Sequence, residues 1–288
     1  MPELPEVETI RRGLSKFIIK KQLVSTEIFC DKSFIGKPVG GIVKGLRRFG
    51  KALIIDLNNG TSLMIHLRMT GQLIYDPGTE KSQRYAAGHP SENFTAKLPN
   101  KQTRVILKFK EGGTLYFNDQ RKFGFIKIIP TNEVVNDSFV RKLAKEPWDM
   151  TEQEFYERLQ RHQNSNIKAT ILDQTIICGL GNIYADEALF AAKIHPERKS
   201  GSITKQEAKL LLQSAREVMD KSIASGGSTM QTYVKADGTK GDYLELFAQV
   251  FRRENQPCPR CGATIQKIKV AGRGTHICPN CQRKSSKK

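Results

Sequence analysis

Four cysteines near the C-terminal end carry the clearest chemical signal in the sequence. They form two pairs, Cys258-Pro-Arg-Cys261 and Cys278-Pro-Asn-Cys281, with sixteen residues between the pairs. Two such pairs at this spacing supply the thiolates of a tetrahedral zinc site, and the metal replaces a core too small to fold alone. A redox or disulfide pair is the alternative. We predict that Cys258, Cys261, Cys278 and Cys281 bind one Zn²⁺ per chain.

The segment between the two cysteine pairs has the pattern of a β-hairpin. Two β-rich runs, Ile265–Val270 and Thr275–Ile277, flank Ala271-Gly272-Arg273-Gly274, which puts Arg273 at the predicted tip. From Arg252 to Lys288 there are ten lysines and arginines and one acidic residue. An arginine on a rigid, basic hairpin is suited to hold a phosphate group.

A glycine-rich turn, Cys178-Gly179-Leu180-Gly181-Asn182, lies between the apolar stretch Ile167–Ile177 and the helical stretch Ile183–Ala192. Turns of this kind at the start of a helix present backbone N–H groups to phosphate. A purely structural turn explains the same residues, and the motif taken alone favours that interpretation.

Pro2 is the least expected candidate. If Met1 is removed, Pro2 carries a terminal secondary amine, and terminal amines titrate near ~7.7–8.0, against ~10.4 for lysine. Such an amine is partly unprotonated at neutral pH and can attack a sugar carbon to form an iminium, while Glu3 transfers protons. A proline-rich helix start with acidic first-turn residues is the alternative, and these residues alone favour it.

The composition narrows the class of partner. The 288 residues include 47 Lys+Arg against 29 Asp+Glu, a net charge of +18, which attracts nucleic acid or an anionic membrane surface. A solvated basic surface is the alternative. No apolar run approaches the roughly 18 residues of a membrane span, and the acidic N-terminal segment lacks a signal core. The cysteines do not form a disulfide framework, so we expect a reducing cytoplasm.

Apolar periodicity predicts the elements that must position these residues. Residues 4–18 predict a helix, and residues 40–130 predict strands with hairpins at Asn58-Asn59-Gly60 and Glu111-Gly112-Gly113. Residues 76–101 predict an irregular loop. The predicted strands are Ala52–Leu57, Leu63–Leu67, Val105–Phe109, Thr114–Phe117 and Phe125–Ile129. The first half is therefore expected to form a β-sandwich or barrel.

The pattern becomes helical after Pro130. Thr151 with Glu154, and Thr204 with Glu207, are capping boxes that start helices. We predict an α+β chain with a catalytic β domain at 1–130, a linker at 131–150, a helical domain at 151–250 and a zinc finger at 251–288.

Five motifs occur together and in one order. They are Pro2-Glu3-Leu4-Pro5-Glu6-Val7-Glu8-Thr9, Ile65-His66-Leu67-Arg68-Met69-Thr70-Gly71, Arg121-Lys122-Phe123-Gly124, Gly179-Leu180-Gly181-Asn182-Ile183-Tyr184 and the four-cysteine hairpin. In this combination the chain resembles the formamidopyrimidine-DNA glycosylases, nearly from end to end. Leu4 differs from the Pro-Glu-Gly-Pro-Glu start that is typical of the sister family, endonuclease VIII.

The resemblance implies an N-terminal β-sandwich with a catalytic helix, a helix-two-turn-helix domain and a zinc finger, with DNA in the cleft between. It implies a bifunctional glycosylase/AP lyase that excises oxidised purines such as 8-oxoguanine and formamidopyrimidines from duplex DNA. Because a stacked base cannot be reached, the damaged nucleotide must be flipped out. Successive eliminations of the 3′ and 5′ phosphates would then cleave the strand.

Residue roles follow from the same resemblance. Pro2 is implied to be the Schiff-base nucleophile, Glu3 the acid/base and Lys51 a lysine on a strand near the scissile sugar, and Asn182 and Arg273 to hold phosphates beside the lesion. Met69, Arg121 and Phe123, here called the wedge residues, are implied to fill the gap left by the flipped nucleotide. The DNA-binding set implied in full is Met69, Arg121, Phe123, Asn182, Lys168 and Gln102.

Some positions depart from the family pattern; they concern DNA contacts and do not include Pro2, Glu3 or Lys51. Gln120 replaces a usual proline, Gln102 stands where a DNA-contacting histidine is common, and Phe251-Arg252-Arg253-Glu254 replaces a Tyr-Gly-Arg stretch. Region 76–101 looks longer than usual. We expect a monomer at the bacterial nucleoid in the cytoplasm.

Three other functions remain open. One is a glycosylase of the same fold that prefers oxidised pyrimidines. Another is a non-catalytic zinc-finger DNA-binding protein, which would leave Pro2, Glu3 and Lys51 without a role. The last is an RNA-binding protein, although aromatic stacking motifs are absent.

Overall fold

The computed structural model describes residues 2–78, 84–89, 96–227 and 247–284. These form two compact units, one made of residues up to Arg141 together with 225–227, the other of 142–224 and 247–284. The second unit holds both the helical region and the four-cysteine segment, for which the sequence predicts separate domains. Those domain boundaries stay a prediction.

Helix α1 spans Leu4–Ile18, with the predicted bounds. Its entrance is closed by Glu6, whose carboxylate accepts the backbone N–H of Glu3 at 2.9 Å. Proline suits the first turn because the N–H groups there have no partner within the helix. The apolar stripe that includes Val7, Ile10 and Leu14 is buried against the sheet.

The strands of the first unit form one ten-stranded sheet among the described residues. The strands are β1 Gln22–Ile28, β2 Phe34–Ile35, β3 Gly41–Phe49, β4 Ala52–Leu57, β5 Thr61–His66, β6 Gly71–Asp76, β7 Tyr85–Gly88, β8 Thr103–Phe109, β9 Thr114–Asp119 and β10 Phe125–Pro130. Their order is β2-β10-β5-β4-β3-β1-β8-β9-β6-β7. The pair β2–β10 is parallel and the other described pairs are antiparallel.

The sheet forms the predicted sandwich because it turns at β1. This strand pairs with β3 at only two positions, Gln22 with Ile42 and Leu23 with Gly41, and then continues along β8. Buried side chains from both halves share one apolar core with α1. That core includes Leu14, Leu53, Ile65, Leu107 and Phe117.

Five of the ten strands were not predicted individually, and two of them, β3 and β6, lie within the stretch 40–130 for which strands were expected. The other three lie before that stretch or inside the predicted loop. β1 and β2 precede residue 40, and β7 falls within 76–101. The sequence of β7, Tyr-Ala-Ala-Gly, has little intrinsic strand preference. Pairing with β6, from Gln72 with Gly88 to Tyr75 with Tyr85, makes it a strand.

The second unit contains four α-helices and one hairpin among its described residues. These are α2 Glu152–Arg161, α3 Ile167–Leu172, α4 Asn182–Ala191, α5 Lys205–Ala224, β11 Gln266–Val270 and β12 Arg273–Ile277. Both predicted N-caps form: Thr151 accepts the N–H of Glu154 at 3.1 Å, and Thr204 accepts that of Glu207 at 3.2 Å. The reciprocal bond of a capping box is present at Thr204, whose N–H donates to Glu207 at 2.9 Å, whereas the carboxylate of Glu154 binds Lys145 and Arg158. The predicted linker 131–150 is built of short 3-10 helices.

Candidate functional site

The predicted nucleophile lies directly before α1. Pro2 is buried, and Glu3 beside it is 3% exposed. Glu3 has an extended backbone and caps the helix, so its side chain leaves the chain where the helix begins. The first turn therefore fixes the direction in which both residues project.

Lys51 lies in a turn rather than on the strand that the resemblance implied. Phe49 pairs with Ala52, so Gly50 and Lys51 form a two-residue hairpin turn between β3 and β4. Gly50 has a φ of +54°, a conformation that glycine adopts readily. Lys51 is buried despite its charge, which is uncommon for a lysine outside a specialised setting.

An ion-pair cluster connects α1 to the Lys51 turn. The carboxylate of Glu8 accepts hydrogen bonds from Arg11, Arg12 and, at 3.2 Å, Arg48. Arg48 in turn donates to the carbonyl of Gly50 at 3.0 Å. Burial alone would raise the pKa of Glu8, but the arginines outweigh it and lower that pKa to about 2. Glu8 is therefore ionised at neutral pH, and it links the helix that follows Pro2 to the turn that carries Lys51.

His66 lies at the end of β5 and pairs with Ala52, next to Lys51. Burial, together with the charges of Arg68 and Lys51, lowers the pKa of His66 to about 3. A neutral ring agrees with its hydrogen bonding, because Nδ1 accepts the backbone N–H of Arg68 at 3.0 Å. The imidazole is thus a neutral neighbour of the two cations.

Two turns of the first unit carry the wedge residues. Met69 lies between β5 and β6, and Arg121 and Phe123 lie between β9 and β10. The backbone N–H of Arg121 donates to the hydroxyl of Thr70 at 3.1 Å, so the turns are in contact. Met69 is 42% exposed and Phe123 is 55% exposed. The guanidinium of Arg121 stacks over the Phe123 ring, 4.8 Å from its centroid.

Gln102 lies beside the same turns. Its carbonyl accepts the backbone N–H of Asp119 at 2.9 Å, and its own N–H donates to the side chain of Asn100. The position that the resemblance implied for a DNA contact therefore borders the wedge residues.

In the second unit, Asn182 contacts the backbone of Gly274, the residue that follows Arg273. Asn182 is the first residue of α4, and its amide nitrogen donates to the carbonyl of Gly274 at 3.0 Å. Val270 pairs with Arg273, so Ala271 and Gly272 form a two-residue turn in which both have positive φ. Arg273 is therefore the first residue of β12 instead of the tip of a longer loop, and it is exposed.

Lys168 projects into the protein. Its ammonium lies 2.6 Å from a carboxylate oxygen of Asp186, and both side chains are fully buried. The same ammonium donates to Thr275 at 2.7 Å and to the Gly274 carbonyl at 3.3 Å. This burial does not support the direct DNA contact that the resemblance implied. It supports a role in holding the hairpin that carries Arg273.

The four cysteine sulfurs lie within 4.8 Å of one another. The Sγ atoms of Cys258 and Cys281 are 3.9 Å apart, and those of Cys261 and Cys278 are 3.4 Å apart. Zinc–sulfur bonds of about 2.3 Å in a tetrahedron separate sulfurs by roughly 3.8 Å. Each pair also receives a backbone N–H on a sulfur, from Arg260 and from Cys281 at 3.4 Å. The donor set and its spacing fit zinc.

Sequence reasoning missed three buried carboxylates that organise these sites. Asp119 contacts both wedge turns, and Asp186 joins Lys168 to the backbone of His276. Glu187 accepts the N–H groups of three consecutive residues, Gln249, Val250 and Phe251. The only signal in the sequence was their nearness to the motifs, because their partners lie up to 90 positions away.

The comparisons with known proteins agree with this arrangement. Residues 1–126 match the formamidopyrimidine-DNA glycosylase N-terminal domain, residues 143–234 match the H2TH domain of the same enzymes, and residues 255–283 match a zinc finger found in FPG and IleRS. Formamidopyrimidine-DNA glycosylases of Pelotomaculum thermopropionicum and Streptococcus pyogenes are 37% and 39% identical over 98% and 99% of this chain, and over 99% of their own length. The chain belongs to the formamidopyrimidine-DNA glycosylase family.

Solved structures of the family give the same result. A Lactococcus lactis variant bound to Fapy-dG DNA is 36% identical, with a TM-score of 0.84 over 98% of this chain and all of its own. A complex of Lactococcus lactis Fpg with abasic-site DNA has a TM-score of 0.83 and 36% identity, with the same coverage of both chains. The chain is therefore a DNA-binding formamidopyrimidine-DNA glycosylase with a zinc finger, and AP lyase activity is typical of its family. Among the described residues, none of the helices is long and apolar enough to cross a membrane.

Proposed function

We propose that this enzyme excises oxidised purines from duplex DNA and cleaves the strand through a Schiff base on Pro2. The observation that carries the proposal is the position of Pro2 immediately before α1, with Glu3 at its side. A proline nitrogen inside a chain is an amide and cannot attack carbon, but removal of Met1 makes it a secondary amine. The structures of relatives with Fapy-dG DNA, and of MutM with carbocyclic 8-oxo-G DNA, support the choice of lesion.

The chemistry follows from the groups at the start of α1. The amine attacks C1′ of the flipped nucleotide, the bond to the damaged base breaks, and the base leaves with a proton. The ring oxygen then departs as a hydroxyl, protonated by Glu3, which leaves a C1′ iminium on Pro2. The iminium acidifies the C2′ proton, so its removal expels the 3′ phosphate. A second elimination expels the 5′ phosphate, and water releases the sugar fragment from Pro2.

The other residues bind and orient the DNA. Asn182 lies at the start of α4 and Arg273 at the start of β12, and Asn182 binds the carbonyl of Gly274, the residue after Arg273, which supports a joint role in holding a phosphate. A primary amide nitrogen has two N–H bonds, so Asn182 can bind Gly274 and phosphate together. Lys51 is assigned to departure of the base on the resemblance; its side chain is buried in the turn that Arg48 links to Glu8 of α1.

The zinc finger has a structural role in this proposal. We infer one Zn²⁺ per chain, held by Cys258, Cys261, Cys278 and Cys281. When bound, the metal stabilises the fold of the hairpin and takes no part in the reaction. The side chains of Cys258 and Cys278 pack with Phe190 of α4, so the finger is seated on the helical region. We also propose that the enzyme acts as a monomer in the bacterial cytoplasm.

Borohydride trapping tests the proposal. Protein is incubated with duplexes that carry 8-oxoguanine, formamidopyrimidine or thymine glycol, reduced, digested and mapped. We expect adducts with the two purine lesions, attached at Pro2. Attachment at Lys51, or full activity in protein that retains Met1, would refute the Pro2 mechanism. A strong preference for thymine glycol would instead favour the pyrimidine-specific alternative.

A further inference from the structure

Asp119 is a buried carboxylate to which the mechanism has given no role. It is the last residue of β9, where it pairs with Gly71, the first residue of β6. Its side chain is fully buried in the sheet, yet it lies at the boundary of both turns that carry the wedge residues.

The two oxygens of Asp119 contact both turns. One accepts the hydroxyl of Thr70 and, at 3.1 Å, the backbone N–H of Arg121. The other accepts the backbone N–H of Gly124 at 2.7 Å. One carboxylate thus holds the Met69 turn to the Arg121–Phe123 turn. Because Asp119 uses the backbone of Arg121, the guanidinium of that residue is left to stack on Phe123.

Both turns adopt backbone conformations that cost free energy. Arg68, next to Met69, has a φ of +50°, and Lys122, between Arg121 and Phe123, has a φ of +57°. Such conformations in residues other than glycine persist only where surrounding contacts hold them. Gly124 closes the second turn against the sheet, where an added Cβ would lie 2.8 Å from the Phe117 ring and 3.0 Å from the His66 carbonyl.

We propose that Asp119 is a positioning residue for base extrusion. It keeps the two turns in the single arrangement in which Met69, Arg121 and Phe123 enter the DNA stack together. The inference rests on the wedge role implied by the resemblance and on the proposed glycosylase function. Asp119 itself does not contact the reacting sugar, so it acts before the chemical steps.

Asp119→Asn tests this inference with little change in size. An amide offers one oxygen acceptor in place of two, so either the Gly124 N–H or the Thr70–Arg121 pair loses its partner. We expect single-turnover release of 8-oxoguanine to slow by about 10-fold or more, the effect of leaving a buried donor unpaired. Strand cleavage at a pre-formed abasic site needs less extrusion and should change little.

Two further variants separate positioning from simple loss of stability. Thr70→Val removes one donor to Asp119 and should produce a smaller loss of the same selective kind. Asp56→Asn is the matched control, since Asp56 accepts hydrogen bonds from Arg47 and Ser62 at the far end of the β4–β5 pair. It should lower the melting temperature without altering the ratio of the two activities.

A double-variant cycle gives the decisive readout. In a Phe123→Ala background the wedge is already lost, so Asp119→Asn should add little to the extrusion defect. Full additivity, or equal losses on lesion and abasic duplexes, would overturn the inference even if the wild-type enzyme excises 8-oxoguanine normally. If the wild-type enzyme releases no oxidised purine, the proposed function fails instead, and the two failures are thereby distinguished.

Discussion

The ammonium of Lys168 lies 2.6 Å from a carboxylate oxygen of Asp186, with neither side chain exposed to solvent. The other carboxylate oxygen of Asp186 accepts the backbone N–H of His276 at 2.9 Å. The pair therefore joins α3 and α4 to the strand that begins with Arg273. A buried ion pair of this kind contributes less to net stability than to holding one arrangement, and removing one partner leaves an uncompensated charge.

Salt dependence distinguishes a positioning role of Lys168 from a direct contact with DNA. Arg273→Ala should weaken DNA binding. The slope of log affinity against log salt should also become less negative by about 0.9, because one phosphate contact is lost. The double variant Lys168→Met with Asp186→Asn, which leaves no unpaired charge, should weaken binding with the slope unchanged. Titration of labelled abasic duplex at several salt concentrations measures both. A slope reduced equally in the two proteins would identify Lys168 as a phosphate contact.

Loss of zinc should abolish specific DNA binding while the first unit stays folded. Cys278 is fully buried against Phe190, so Cys278→Ser should release the metal and unfold the finger. We expect one zinc per chain by elemental analysis of the wild-type protein, and none bound to this variant. DNA affinity should fall to the nonspecific level. Cys30→Ser, at a half-buried cysteine outside the cluster, is the control. Full DNA affinity in metal-free protein would contradict the prediction.

Stability should fall on mild acidification because of His66. Its pKa is 6.5 without perturbation and about 3 in the folded protein. The unfolded chain therefore binds the proton first, so this contribution is complete above pH 6.5 and is lost as the pH falls toward 3. By linkage, the free energy of unfolding should be about 2 kcal/mol lower at pH 5 than at pH 8.

The variant His66→Gln isolates that effect. Its side-chain oxygen can still accept the Arg68 N–H, but it does not titrate. Denaturant unfolding of both proteins between pH 8 and 5 avoids the range below 4.5 in which Glu8 titrates. A pH dependence equally steep in the variant would show that other groups are responsible.

Variants of Lys51 and Pro2 should affect base release and abasic-site cleavage differently. Lys51→Ala should slow release of 8-oxoguanine while much of the cleavage at abasic sites remains, because Pro2 still supplies the amine. Pro2→Gly keeps a terminal amine but makes it primary and less constrained, so both activities should fall sharply. Rates on lesion and abasic duplexes, measured side by side, test the pair of variants. Loss of abasic-site cleavage in Lys51→Ala alone would contradict the assignment of the nucleophile to Pro2.

Features that depend on neighbours along the chain could be predicted from the amino-acid sequence alone. The bounds of α1, the N-caps at Thr151 and Thr204 and the four-cysteine cluster all follow from short-range spacing. The ordered motifs were specific enough to indicate the family. These features are local because helix periodicity, capping and paired metal ligands involve residues only three or four positions apart.

The contacts of the buried charges could not be predicted in this way and are seen only in the folded protein. Glu8 reaches Arg48 across 40 positions, Asp119 reaches Thr70 across 49, and Lys168 reaches Thr275 across 107. The resemblance implied that Lys168 contacts DNA, whereas in the structure its charge is fully buried against Asp186. A charged side chain is buried only where folding surrounds it with oppositely charged or hydrogen-bonding groups. The spacing of residues along the chain does not specify which groups those are.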